Sequence, residues 1–77
     1  MLPLHQLAPG QKAIIESIET ESLPLKLIEM GCLPGNEIAL LYWAPFRDPL
    51  YLRIEEVHLA IRKEVAQHIM VKPLVDD

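Results

Sequence analysis

The stretch "LIEMGCLPGNEI", Leu27–Ile38, carries two glycines four positions apart, a methionine and a cysteine on either side of the first, and a Pro-Gly pair at its second half. Upstream of it, "SLPLKLIEMG" repeats Leu23, Leu27 and Met30 at spacings of four and three, as the buried stripe of a short helix does. Ser22 or Leu23 is the candidate cap, and Pro24 is tolerated in the first turn, where its missing N–H costs nothing. Gly31 can close the far end in the left-handed conformation. The expectation is one helix of about two turns. Pro34 and Gly35 then fit the two central positions of a type II turn, the second of which requires positive φ. A phosphate-binding loop does not fit: the glycine spacing is wrong, and Gly35 is followed by Asn36-Glu37 instead of lysine and a hydroxyl residue. The stretch therefore reads as a helix stop, a turn and the start of a strand.

Working outward, "EIALLYWA" from Glu37 is apolar on both faces, with Ile38, Leu40 and Tyr42 on one side and Ala39, Leu41 and Trp43 on the other. Such a pattern predicts a central strand. Before the helix, "LAPGQ" is a turn and "QKAIIESIE" a strand rich in β-branched residues. Its alternation breaks at Ile14-Ile15, which fits either burial on both sides or a bulge. After the central strand, "PFRDP" is a loop bracketed by prolines, and "LYLRIE" alternates with Leu50, Leu52 and Ile54 inward. "VHLAI" puts Val57, Leu59 and Ile61 inward behind a tight hairpin turn at Glu56. "RKEVAQH" has room for one helical turn, and "IMVKP" makes a last short strand. The expected fold is mainly β with one short helix: a small, highly curved SH3-like β-barrel of about five strands, with the helix inserted after strand one.

A chain of 77 residues is expected to be a single domain, 1–77, too small to enclose a large internal active site. Half of it is apolar, the share of a folding chain and not of a disordered one. A formal charge of −4 removes general attraction to nucleic acid, which relies on Lys and Arg neutralising phosphates. The longest apolar run, "IALLYWAPF", is about half of what a membrane helix needs and contains a proline, so no membrane insertion is expected. A lone Cys32 suits a reducing compartment, and the N-terminus lacks the features of a signal peptide, so a cytoplasmic location is expected.

The tests for chemistry come out negative. Cys32, His5, His58 and His68 show no metal-ligand spacing, and the adjacent Glu55 and Glu56 do not converge, so no metal site is predicted. Ser17, Thr20 and Ser22 lie in no strained strand-to-helix elbow. Cys32 follows a helix C-terminus, whose dipole opposes a thiolate, and reads as a half-buried structural residue. No catalytic residue is predicted, and no enzyme. Tyr42, Trp43, Phe46 and Tyr51 can line a groove only in part, since Tyr42 and Trp43 point to opposite sides of one strand.

Leu4, Leu7, Pro9-Gly10, Ala13, Ile15 and Ile18, then "KLIEMGCLPGNEI", "APFRDPL" and "LAIRKEVAQHIMV", together resemble the FeoA family, the small cytosolic partner of the bacterial ferrous iron transporter. The likeness runs from about Leu4 to Val71 and departs from the family pattern at Glu55-Glu56-Val57, where many members have glycines, and at Arg47-Asp48. The resemblance implies an SH3-like barrel and a non-catalytic adaptor that docks on the cytosolic face of a GTP-dependent ferrous iron transporter. The docking surface expected for such an adaptor is an apolar cleft between the helix and the barrel. Leu27, Met30 and Leu33 are its candidate anchors and Cys32 and Pro34 its rim, although Leu27 and Met30 serve equally as ordinary core. No cofactor is expected beyond transient contact with Fe2+, and self-association is left open. Two other readings are a sensor of ferrous iron or a small ligand, and a peptide-binding domain related to those of iron-dependent repressors.

Overall fold

A computed structural model describes residues 1–74. Its strands are β1 (Leu2–Pro3), β2 (Lys12–Ile18), β3 (Glu37–Trp43), β4 (Leu50–Ile54), β5 (Val57–Ile61) and β6 (Ile69–Pro73). The helix α1 (Leu25–Glu29) lies between β2 and β3, and one turn of helix, α2 (Lys63–Ala66), lies between β5 and β6. All six strands form one antiparallel sheet in the order β1-β6-β2-β3-β4-β5, and β3 is internal, as its two apolar faces predict. The sheet has six strands where about five were expected. The additional one, Leu2–Pro3, pairs with Val71 and Met70, and two residues including a proline are too few to show a period in the sequence.

Two bulges bend this sheet around its core. In β2 the register against β6 slips between Ile15 and Ser17, so Glu16 is the unpaired residue. This settles the broken alternation in favour of a bulge: Ala13 and Ile15 are buried before it, and Ile18 packs on the core after it. In β3 the register against β4 slips between Leu40 and Tyr42, leaving Leu41 as the extra residue. Ile38 and Leu40 are buried, but Tyr42 emerges on the outside, and Trp43, opposite Leu50, turns back toward the core. The expected single face of Ile38, Leu40 and Tyr42 is thus corrected, because an extra residue reverses the alternation beyond it.

Leu50, Leu52 and Ile54 of β4 are buried as predicted. Val57 is not: it is 39% exposed, because β5 is an edge strand and Val57 stands at its hairpin end. The hairpin turn places Glu55 at φ +54, the left-handed region, which costs a side chain without local hydrogen bonding about 1–2 kcal/mol. Its carboxylate recovers part of this by accepting the Glu37 N–H at 3.3 Å. Asparagine tolerates that backbone better. Glu55→Asn is therefore expected to raise the urea midpoint at unchanged m-value, by about 0.5–1 kcal/mol of stability.

Candidate partner-docking surface

The segment from α1 to β3 is fixed by backbone hydrogen bonds that its glycines make available. At the end of α1, Gly31 takes φ +105, its N–H donates to Ile28 O at 3.1 Å, and Cys32 N–H donates to Leu27 O at 3.0 Å. These are the paired bonds of a Schellman motif, which satisfies carbonyls that a helix end leaves free. The Asn36 side-chain amide donates to Gly31 O at 2.7 Å and closes the corner. Gly35 takes φ +95, and Asn36 N–H donates back to Leu33 O at 3.2 Å, so Leu33 to Asn36 form the expected turn. Gly35 N–H donates to Ile15 O and Ile15 N–H to Asn36 O, at 2.8 and 3.0 Å, which ties the turn to β2.

This frame separates the five predicted contact residues. Leu33 is 42% exposed and Pro34 is exposed, both on the turn, whereas Leu27 and Met30 are half-buried and Leu27 packs on the core. Cys32 requires correction: its side chain has no exposed surface and belongs to the core, not to a rim. The Schellman geometry turns it inward, which a sequence reading of a turn cysteine does not reveal. Burial pushes the Cys32 thiol up to about 11, so desolvation, and not the helix dipole named from the sequence, is the main cause. At neutral pH the group is a protonated, inaccessible thiol and no nucleophile.

Two further apolar features lie outside the predicted set. The bulge at Leu41 brings Tyr42 over Tyr51, the rings stacked with centroids 4.6 Å apart and 17° between planes. Together with Leu41, His58 and Ala60 they line a shallow groove of about 290 Å³ on the outer face of β3, β4 and β5. In the β3–β4 loop, Phe46 is 99% exposed and Phe46 and Arg47 both adopt left-handed backbone, at φ +65 and +62. The loop is held on both sides of Phe46. The Arg47 guanidinium lies 4.6 Å from the Trp43 ring centroid, and Asp48 Oδ1 accepts the Lys63 N–H at 3.0 Å. A phenyl ring displayed on strained but anchored backbone has no counterpart in a composition or periodicity signal. Only the prolines bracketing the loop pointed to its irregularity.

Among polar groups, His68 Nδ1 meets Glu19 Oε2 at 2.7 Å near the surface. Among the described residues, no three His, Cys, Asp or Glu side chains are grouped as a metal ion requires, and no helix is long and apolar enough to cross a membrane.

Residues 2–73 match the FeoA domain family. A curated relative, the Fe(2+) transport protein A/Fe(2+) transporter FeoB fusion protein of Porphyromonas gingivalis, is 36% identical over 70 residues, which cover 90% of this chain and 8% of that one. The crystal structure of an iron uptake regulatory protein, FeoA, superimposes with a TM-score of 0.82 at 34% identity, covering 95% of this chain and 96% of the other. The zinc complex of FeoA from Stenotrophomonas maltophilia, an SH3 domain protein, superimposes with a TM-score of 0.80 over 94% of this chain and 91% of its own. Its identity is 22%, so this likeness concerns the fold, which is SH3-like in both.

The buried thiol sets a pH dependence. Its folded pKa of about 11 exceeds the unfolded value of 9.0, so the unfolded chain loses its proton first as pH rises. The stability this proton provides is present below pH 9 and is lost between there and about pH 11. Urea titrations at pH 8 and pH 11 are expected to show wild type losing about 2–3 kcal/mol more than Cys32→Ala.

Proposed function

The chain belongs to the FeoA domain family, and from that premise we propose that it is a non-catalytic accessory protein of ferrous iron uptake. In this reading it works on the cytosolic side of the membrane, docks on the GTP-binding portion of the ferrous iron transporter, and supports or regulates transport. The observation that carries the partner is the fusion of the two proteins into one chain in Porphyromonas gingivalis. Covalent linkage raises the effective concentration of one module at the other, which is of use where the two make contact. This chain spans only 8% of the length of that fusion protein.

The contact surface assigned here is the α1–β3 turn, with Leu33 and Pro34 as exposed contacts and the half-buried Leu27 and Met30 beneath them. Its backbone is already fixed by the Gly31 and Gly35 hydrogen bonds, so little ordering entropy is lost on docking. The protein holds no resident cofactor in this reading: Fe2+ is the cargo of its partner. The test is a binding titration with the transporter's isolated GTP-binding portion. Leu33→Asp, at an exposed turn position, is expected to melt as wild type does and to bind about tenfold more weakly. A folded Leu33→Asp that binds with wild-type affinity removes the turn from the interface, and wild type that does not bind at all removes the adaptor reading.

A further inference from the structure

The sheet has two edges of unlike character. At one, β1 is two residues long and contains Pro3. Shortness and proline are the usual devices that stop an edge from recruiting another strand. At the other, β5 has five residues, Val57-His58-Leu59-Ala60-Ile61, with no proline, lysine, arginine or acidic residue, and its ladder to β4 shows no bulge.

The hydrogen-bond phase of that edge follows from its neighbours. Glu55 N–H donates to Glu37 O, so the odd-numbered residues of β4 bond toward β3, and Leu50, Leu52 and Ile54 bond toward β5. Their partners Ile61, Leu59 and Val57 are thereby engaged, and the backbone groups of His58 and Ala60 point away from the sheet along the free edge. An antiparallel strand can therefore add only in a register that pairs these even-numbered residues with outward-facing groups of its own.

We propose that this strand is a second copy of β5, paired antiparallel about Leu59 to give a two-fold dimer with one sheet continuous across both copies. In this register His58 exchanges backbone bonds with Ala60 of the second copy, Leu59 meets Leu59, and Val57 meets Ile61. The charges just beyond the strand complete the match: Glu56 comes opposite Arg62, whose backbone is still extended, at both ends by symmetry. Both side chains are exposed in the single copy. Shifting the register by two residues either way loses this pairing, which is what selects a self-complementary partner over an arbitrary strand. The Tyr42–Tyr51 groove, whose wall is His58 and Ala60, then continues from one copy to the other. Edge pairing alone buries less than a standard interface, so the dimer is weak and concentration-dependent.

Sedimentation equilibrium over a concentration series up to millimolar tests this. Wild type is expected to pass from monomer to dimer. Ala60→Pro removes an N–H that only the second copy receives, and it is expected to stay monomeric with its β4 ladder intact. Glu56→Arg and Arg62→Glu, each at an exposed position, are expected to weaken the dimer about fivefold, and the double swap to restore it. Wild type that is monomeric throughout, a dimer indifferent to these changes, or a double swap that does not restore association would each overturn the proposal. Should Ala60→Pro fail to fold, the charge swaps decide alone.

Discussion

The extra residue at Leu41 governs what this protein buries and what it shows. Before it, Ile38 and Leu40 face the core; after it, Trp43 returns inward opposite Leu50 while Tyr42 is left outside, stacked on Tyr51. The second bulge, at Glu16, does the corresponding work in β2, carrying Ala13 and Ile15 to one side and delivering Ile18 to Ile69 beyond the slip. A regular six-stranded sheet would be too flat to cover both sides of so small a core. Bulges increase local twist and bend the strand that carries them, so one sheet curls over Leu4, Leu40, Leu52 and Val71.

Much of this was legible in the sequence wherever a residue type has one physical use. Gly31 and Gly35 required positive φ and took it, Pro34 set the turn, and the alternation of Leu50, Leu52 and Ile54 matched their burial. Where an extra residue resets the phase, alternation misleads, which is why Tyr42 was expected beside Ile38. Edge position is equally silent in sequence: Val57 looks like any inward β-branched residue until the strand order shows that, among the described residues, no strand lies beyond β5.

The candidate surface was legible in part. Leu33 and Pro34 are exposed because a turn that donates its backbone to β2 directs them outward, and Leu27 shares its surface between core and solvent. Cys32 was misplaced because its direction depends on two backbone hydrogen bonds and not on its neighbours' polarity. Phe46 lay beyond reach for a related reason, since its exposure is imposed by left-handed backbone that its own side chain disfavours. The rigid frame and its exposed apolar positions are thus products of one arrangement, in which glycines and bulges decide the direction of the residues between them.

The most direct measurement of that arrangement is a set of proton NMR contacts from the aromatic rings of β3. The Leu41 bulge predicts cross-peaks between the Tyr42 and Tyr51 rings and between Trp43 and the Leu50 side chain. Contacts from the Tyr42 ring to Ile38 and Leu40, with Trp43 turned to solvent, would contradict it, because they would mean an unbroken strand.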